Sequence, residues 1–521
     1  MLRQDIKSPA AAGIAASALS GLLAAFSFPD FNLSFLAWFA FVPLLIFIPR
    51  APALSSFFYG IISGGVSFAV ILYWLIPTFS AAGEPVFLAM LSLLTLSLYI
   101  SLYTGLFCLM SNRYFRKSGG GWLSLIFLPS LWVALEFLRG HLLSGFPWCL
   151  LGYSQWEFTR IIQISDVTGV YGVSFALIAV NASLAAATRG LIFKEGGKGR
   201  SGAMAPLAFA LLVFFACYSY GFLAEKKIKY GAGGFRAALL QGNIDQYKKW
   251  DSAYAGEILR SYEGLAIRAA ASAPDLIVWP ESALPAVLSG NRQINSRVAQ
   301  LCKRTHTYHF IGAVDYSGGR FYNSAFLFDP AGTISGRYDK VHLVPFGEII
   351  PLKAFLGRFV RTLNELGEIS PGRGHTVFVL RGARFGSTIC FEAIFPELTR
   401  ELTKNGAGFI VNLTNDAWYL DTSAPAQHFA FNVFRAVENR RCVLRAANTG
   451  ISGVIDPYGR IMRKTRVFTE DVIIADFAPA SADFSFYTAY GDVFSFLCVI
   501  VSLALFLTRR TAFNKIIGRK D

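Results

Sequence analysis

One thiol in the sequence stands where it could react. Cys390 closes the apolar run STIC and is followed by Phe391 and Glu392. That predicts a cysteine at a strand tip rather than in mid-core, the ordinary place of an inert thiol. A thiol nucleophile must give up its proton to a base, and it needs positive charge nearby for the thiolate and for the oxyanion formed on attack at a carbonyl. Glu281 can supply the base: it ends the run LIVW in WPES, where Pro280 takes the chain out of a strand ladder and leaves the carboxylate at the tip. Lys340 can supply the charge; it lies in YDKVHLVPFGE, which adds Glu348 eight residues on. No helical or strand spacing joins these residues. Each alone reads more simply as a solvated carboxylate, a surface lysine or a packed thiol, so joint chemistry requires a fold that gathers strand ends.

The surrounding sequence has the pattern of such a fold. Residues 223–488 mix charge, glycine and short β-patterned runs that end in polar residues, at 237–245, 275–282, 310–316, 386–392 and 408–416. Helical stretches alternate with them, as at 251–273, with Asp251 as the expected N-cap. Buried strands with intervening helices predict an α/β sandwich with helices on both sheet faces, a class in which reactive groups collect at strand ends. Of the 7 cysteines, this segment holds Cys302, Cys390 and Cys442; the odd number leaves a thiol unpaired, and no metal-ligand spacing appears among them. His342 and His428 have no acidic or cysteine partner at metal spacing, so hydrogen bonding is the expected role of each.

The rest of the chain is built for a different solvent. At 54% hydrophobic and 16% charged it is not an ordinary soluble enzyme, which carries about 25% charged residues. Apolar runs suited to a bilayer core of ~30 Å lie at about 10–29, 32–49, 57–77, 86–111, 122–138, 167–188 and 204–222, with an eighth at about 489–508. The expected architecture is a polytopic α-helical membrane bundle of eight spans, from residues 1–222 and 489–521, plus the α/β sandwich domain at 223–488. Fifteen Lys and Arg against three acids flank the spans on one side, whereas the alternate loops carry only Arg139 and Arg160. By the positive-inside rule both termini are cytoplasmic and residues 223–488 lie outside. This orientation signal absorbs most of the +15 net charge, and with no nucleic-acid motif beside it no nucleic-acid partner is expected.

Taken in order, WPES, YDKxHLVPFGE and ICFE resemble the Glu-Lys-Cys triad of the nitrilase (carbon-nitrogen hydrolase) superfamily. With the flanking spans, the chain resembles the membrane-bound branch of that superfamily, the bacterial apolipoprotein N-acyltransferases. NDAW at 415–418, QHF at 427–429, and QGNI at 241–244 with Lys249 and Trp250 fit the same pattern, and the resemblance covers nearly the whole chain. It implies a nitrilase-like αββα sandwich with Glu281 as general base, Lys340 as oxyanion stabiliser and Cys390 as nucleophile. It also implies Glu348 and Glu392 as further active-site carboxylates, and Asn323, Asn415, Trp250 and Trp418 as residues that line or support the site. Phe391 departs from the Tyr that many members carry after the cysteine. The implied activity moves an acyl chain from a phospholipid such as phosphatidylethanolamine, through a thioester, to the α-amine of an apolipoprotein's N-terminal S-diacylglyceryl cysteine. The implied setting is the bacterial cytoplasmic (inner) membrane, with no cofactor and no metal.

An acyl chain needs an apolar route to the thiol. Residues 349–362 are too short and too charged to span, yet they put Phe355 and Phe359 together on a helical surface, which predicts an interfacial lid. The 141–158 loop is apolar too, with Trp148 and Trp156 as expected interface anchors, and Arg139 is placed to meet a lipid phosphate. Two other function classes fit parts of the sequence: a membrane-tethered amidase that passes the acyl group to water, and a transporter or receptor whose outer domain only binds. Eight spans and an apolar lid favour a lipid substrate over the first. The intact triad, and spans whose clearest charge is Glu136, disfavour the second.

Overall fold

A computed structural model describes residues 9–119, 121–193, 199–226, 234–345, 347–349, 369–480 and 483–508. The chain divides into two compact units: Met1–Lys227 with Thr422–Gln427 and Tyr490–Asp521, and Ile228–Asp421 with His428–Ala489.

In the first unit the apolar runs are helices. Five of them, Ala53–Ile71, Val86–Ser118, Ser124–Ser144, Val170–Ile192 and Gly202–Glu225, are long and apolar enough to cross a membrane; Ala10–Phe26, Ser34–Phe47 and Val493–Leu507 are apolar but shorter. The 32–49 run breaks into a 3-10 turn, Ser34–Trp38, and a helix Val42–Phe47 with proline in its first turn. The 489–508 run breaks at Gly491, whose φ is +68°, and leaves a 15-residue helix of about 22 Å. The Val86–Ser118 helix runs past its expected end until Gly119, at φ +71°, donates its N–H to the Phe115 carbonyl, with Arg116 and Lys117 in the last turn where the helix dipole favours cations. Close packing of Ala53–Ile71 on that helix depends on Gly60, where a Cβ would overlap the Thr104 carbonyl and Gly105 Cα.

Most of the 141–158 stretch, from Gly145 to Trp156, is interior, whereas His141–Ser144 are exposed. Trp148 Nε1 donates to Gln427 Oε1 at 2.8 Å and Trp156 Nε1 to Asn32 Oδ1 at 2.8 Å, and both indoles are buried. An indole whose N–H finds a protein acceptor need not sit at a water boundary. Arg139 is buried as well: it donates to the Trp148 carbonyl at 3.2 Å and lies 5.0 Å over the Phe68 ring, one helical turn from Glu136.

The second unit is a two-sheet sandwich. Its strands are β1 (Phe235–Gln241), β2 (Leu276–Val278), β3 (Tyr308–Ser317), β4 (Arg320–Phe328), β5 (Ile334–Asp339), β6 (Val377–Leu380), β7 (Ala383–Ile389), β8 (Phe409–Thr414), β9 (Cys442–Ala447), β10 (Gly453–Ile455), β11 (Ile461–Lys464) and β12 (Asp471–Phe477). One sheet has the order β12-β1-β2-β3-β4-β5 and the other β11-β10-β9-β8-β7-β6. Side chains alternate across the strands. Ala237 and Leu239 share a core with Phe385, Phe409 and Val411 of the other sheet, whereas Ala238 and Leu240 pack on Leu259 and Tyr262 of the helix Ala255–Ala270 and on Val298 of the helix Arg292–Thr305. Leu402 of the helix Pro396–Lys404 covers Gly386 on the outer face of the second sheet, and Phe429 covers Gly453. The α/β sandwich expected from the strand runs is therefore present, helices outermost. The first helix begins at Ala255, so Asp251 is not its cap; it accepts the Ala253 N–H in the preceding turn instead.

Register decides where strand ends meet. β1, β2 and β3 run parallel, as do β7, β8 and β9. β4 returns antiparallel with Asn323 opposite Val314, and β5 pairs Asp339 with Ser324. The ends of β1, β2, β3 and β5 and the start of β4 therefore lie at one edge of the first sheet, where ligands bind in open α/β sheets.

Candidate active site

At that edge the residues singled out in the sequence come together. Asn323 Nδ2 donates to Glu281 Oε1 at 2.7 Å and to Glu348 Oε1 at 2.9 Å. Lys340, the first residue after β5, donates from Nζ to both Glu348 oxygens, at 3.0 and 2.8 Å, and lies 3.6 Å from Glu281 Oε1. The Val344 N–H completes the Glu348 carboxylate at 2.9 Å. One ammonium is thus clasped between two carboxylates, with little of any side chain exposed. Gly312 of β3 permits this, because a Cβ there would overlap the Pro280 carbonyl and Glu281 Cα.

Cys390 is the first residue after β7 and has φ +54°, a left-handed conformation uncommon for a residue with a Cβ. Glu392 holds the turn. Its Oε2 accepts the Ile389 N–H at 2.7 Å; its Oε1 accepts the N–H groups of Val341 at 2.7 Å and His342 at 3.0 Å; the Tyr338 hydroxyl reaches both oxygens at 2.9 Å. One carboxylate therefore ties the cysteine turn to the segment that carries Lys340, and sets thiol and ammonium relative to each other.

The electrostatics follow from burial and these partners. Burial pushes the Cys390 thiol up, Glu281 adds to the rise and Lys340 opposes it, so the site favours the neutral thiol, and attack by sulfur would require a base in the site to take its proton. Burial works against the charge on Lys340, but Glu348, Glu281 and Cys390 outweigh it and hold the ammonium well above the ordinary lysine value. Burial likewise opposes the Glu348 charge, and Lys340 with the Val344 and Asn323 donors prevails to keep it below the usual carboxylate range. Such an arrangement can take a proton from a thiol and hold an oxyanion beside it, the two needs of acyl transfer through a thioester.

Around Asn415, Lys249 and His428, which the sequence motifs contain, stand supporting residues that no motif marked: Gln246, Asn448, Asn412 and Arg445. Asn415 donates to Gln246 Oε1 at 2.6 Å and accepts from Asn448 at 3.1 Å, and Asn448 holds Ile244 through its N–H and carbonyl at 2.9 and 2.8 Å. These amides fix the loop after β1, which brings Lys249 Nζ to 3.1 Å from the Glu281 carbonyl. Behind the cysteine, His428 Nε2 lies 3.0 Å from the Cys390 carbonyl and Nδ1 2.9 Å from Asp416 Oδ1, while Arg445 donates to Asp416 Oδ2 and Asn412 Oδ1 at 2.7 Å each. Burial opposes the Asp416 charge, but Arg445 and His428 take it down to about 2. The available signal was polar residues, Asn412 and Arg445, in otherwise apolar strands.

Trp250 and Trp418 are half exposed, at 49% and 48%, rather than packed in a core. Phe355 and Phe359, with the 349–362 segment beyond Ile349, lie outside the described residues, as do the basic stretches 1–8, 194–198 and 509–521. Among the described residues no group of three or more His, Cys, Asp and Glu is placed to hold a metal ion.

An amidase from Nesterenkonia sp., known from its crystal structure, aligns with 48% of this chain and 93% of its own, at a TM-score of 0.38 and 19% identity. Two family models match the sequence: the apolipoprotein N-acyltransferase N-terminal domain over residues 20–183, and carbon-nitrogen hydrolase over residues 236–484. The apolipoprotein N-acyltransferase of Chlorobaculum tepidum is 30% identical, over 94% of this chain and 95% of its own. That of Geobacter metallireducens is 40% identical over 489 residues, 92% of each chain. By that likeness across nearly its full length, the chain belongs to the apolipoprotein N-acyltransferases, membrane-bound acyltransferases of lipoprotein maturation within the carbon-nitrogen hydrolase superfamily.

Proposed function

We propose that this chain performs the family's N-acylation in two steps on Cys390. The acyl donor is a membrane phospholipid of the phosphatidylethanolamine type, and the acceptor is the N-terminal S-diacylglyceryl cysteine of an apolipoprotein. In the first step Glu281 takes the thiol proton as Sγ bonds to the ester carbonyl carbon. Lys340 and backbone N–H groups hold the oxyanion. Collapse breaks the ester C–O bond, and the departing lysophospholipid oxygen takes the proton from Glu281. In the second step the free α-amine attacks the thioester, Glu281 accepts its proton, and the amide C–N bond forms as the C–S bond breaks; the thiolate then recovers the proton. A ping-pong order lets two bulky lipids use one pocket in turn.

The observation that carries this reading is the clasp of Lys340 between Glu281 and Glu348, tied through Glu392 to a left-handed cysteine at a strand tip. Five helices of spanning length and three shorter apolar ones, with the one-sided basic flanks, support eight passages. In that topology residues 1–222 and 489–521 lie in the cytoplasmic membrane with both termini inside, and residues 223–488 face outward.

The test uses the purified full chain in detergent with acyl-labelled phosphatidylethanolamine. Wild type is expected to form a hydroxylamine-sensitive acyl-enzyme and Cys390→Ala none; equal labelling of the two would overturn the thioester. Adding a diacylglyceryl-cysteinyl peptide is expected to move the label to its α-amine. Label released only as free fatty acid would favour an amidase-like transfer to water instead. A cytoplasmic reporter active when fused near residue 300 would refute the topology.

A further inference from the structure

Lys249 enters none of the steps above, yet it is as deeply placed as Lys340, at 1% exposure. The amide-pinned loop after β1 carries it to the tip of β2, where Nζ donates to the Glu281 carbonyl. An ammonium has three protons to place. This one has a single hydrogen-bond acceptor among the described residues, and a buried charged donor left largely unsatisfied is costly. Lys340 is already compensated by two carboxylates; Lys249 has no carboxylate at ion-pair distance among the described residues. The charged groups that act on it are Glu281 and Cys390. Of these, only Cys390 gains negative charge as the reaction proceeds.

Among Glu281, Glu348, Lys340 and Lys249, two ammoniums balance two carboxylates when all four are charged, and burial disfavours the charged form of Glu392 behind the cysteine turn. Moving the thiol proton to Glu281 leaves the set neutral, with the negative charge transferred from carboxylate to sulfur. Without Lys249 the same transfer would take place in a buried set carrying one net negative charge, which disfavours a thiolate.

We propose that Lys249 is a positioning residue of the active site and its second positive charge: it fixes the Glu281 tip through the carbonyl bond and stabilises the Cys390 thiolate as it forms and again as it leaves the thioester. The proposal rests on the reading of Cys390 as nucleophile. Burial brings Lys249 down to about 8 against the pull of Glu281 and Cys390. Its charge is therefore present below about pH 8 and lost above it.

Single-turnover acylation of the full chain by labelled phospholipid, followed from about pH 6 to about pH 10, tests this. Wild type is expected to slow as the pH passes about 8. Lys249→Met, of similar length without the charge, is expected to acylate ~10-fold or more slowly below pH 8 and to show no such fall, since a neighbouring charge shifts an ionisation by one unit or more. Lys249→Arg, charged throughout, is expected to keep its rate through the alkaline range. A merely structural lysine would lower the rate by the same factor at every pH, so a Lys249→Met profile parallel to wild type overturns the proposal, as does a wild-type rate that does not fall. If the thermal midpoint shows that arginine disturbs the fold, the wild-type and methionine profiles still decide. A wild type that forms no thioester at any pH would remove the nucleophile itself, an outcome distinct from a thioester with a profile independent of Lys249.

Discussion

Replacing Glu348 by Gln removes the carboxylate that holds Lys340 away from the base. In the native site Nζ lies 2.8 Å from Glu348 Oε2 and 3.6 Å from Glu281 Oε1. At an effective dielectric constant of ~20 these contacts correspond to attractions of about 5.9 and about 4.6 kcal/mol. With Glu348 neutral, the ammonium has one carboxylate left and closes on Glu281. Shortening that contact from 3.6 to 2.8 Å strengthens it by about 1.3 kcal/mol, which becomes extra work when Glu281 must accept the thiol proton, about tenfold in rate. This is a floor. Both Glu348 oxygens are acceptors, from Lys340, Asn323 and Val344, and an amide offers one accepting oxygen, so at least one N–H is left facing another. Removing one partner of a buried pair also costs ~3–5 kcal/mol of stability. Glu348→Gln is therefore expected to form the Cys390 thioester at least ~10-fold more slowly in single-turnover acylation and to denature earlier. Glu348→Asp, which keeps the charge, should fall between it and wild type. A Glu348→Gln rate within about twofold of wild type would show that the clasp does not govern the proton transfer.

Gly312→Ala drives a Cβ into the Pro280 carbonyl and Glu281 Cα, and a base displaced by roughly 1 Å should cost ~100-fold in acylation with a stability loss of ~1–3 kcal/mol; a wild-type rate would contradict it. His428→Ala strips a partner from both the Cys390 carbonyl and Asp416, and chemical denaturation should show a loss of ~1–3 kcal/mol per group left unpaired. The Asp416 carboxylate, at about 2 in the fold against ~3.9 unfolded, contributes about 2–3 kcal/mol that is complete above about pH 5 and lost progressively as the pH falls through about 2. Asp416→Asn should accordingly flatten the acid end of the stability curve followed by tryptophan fluorescence, and an unchanged acid limb would show that the Arg445 and His428 contacts do not hold that charge.

The strands were legible because their signal is local. Runs such as 386–392 and 408–416 are apolar, short and closed by polar residues; β8 lies within the second, and β7 overlaps the first but begins three residues before it, at Ala383. Glu281 and Cys390 were legible as strand-tip groups, and Lys340 joined them as a triad only through the family resemblance; no spacing makes the three neighbours, because their meeting depends on β4 returning with Asn323 opposite Val314, a register written in no single segment. Lys249 fits the family pattern beside Trp250, but its burial is not legible in DQYKKW: the loop that carries it is held through Ile244 by Asn448, about two hundred residues away in sequence. Trp148 misled likewise. An apolar loop with indoles has the composition of an interface belt, and the acceptor that draws Trp148 inward, Gln427, is 279 residues distant. In the helical unit, composition marked the apolar runs, whereas the breaks at Ser34–Trp38 and Gly491 are backbone events that hydropathy does not register.

Two routes make a cysteine nucleophilic: a cation beside an accessible thiol that keeps it ionised, or a buried neutral thiol deprotonated as it attacks. In the proposed mechanism Cys390 follows the second route, because burial and Glu281 both disfavour its thiolate. A resting thiolate would be open to oxidation and stray electrophiles, whereas a thiol that ionises only against a bound ester is exposed to neither. The same burial that makes the thiol reluctant also strengthens every charge contact that helps it react. In the proposed mechanism it also serves the second half-reaction, because a thioester that must wait for a lipid-bearing amine is at risk chiefly from water. The clasped Lys340, the Glu392 tie and the left-handed turn are then one device: they let the site stay closed to solvent and still hold, already in place, the base and the positive charge that a neutral thiol lacks.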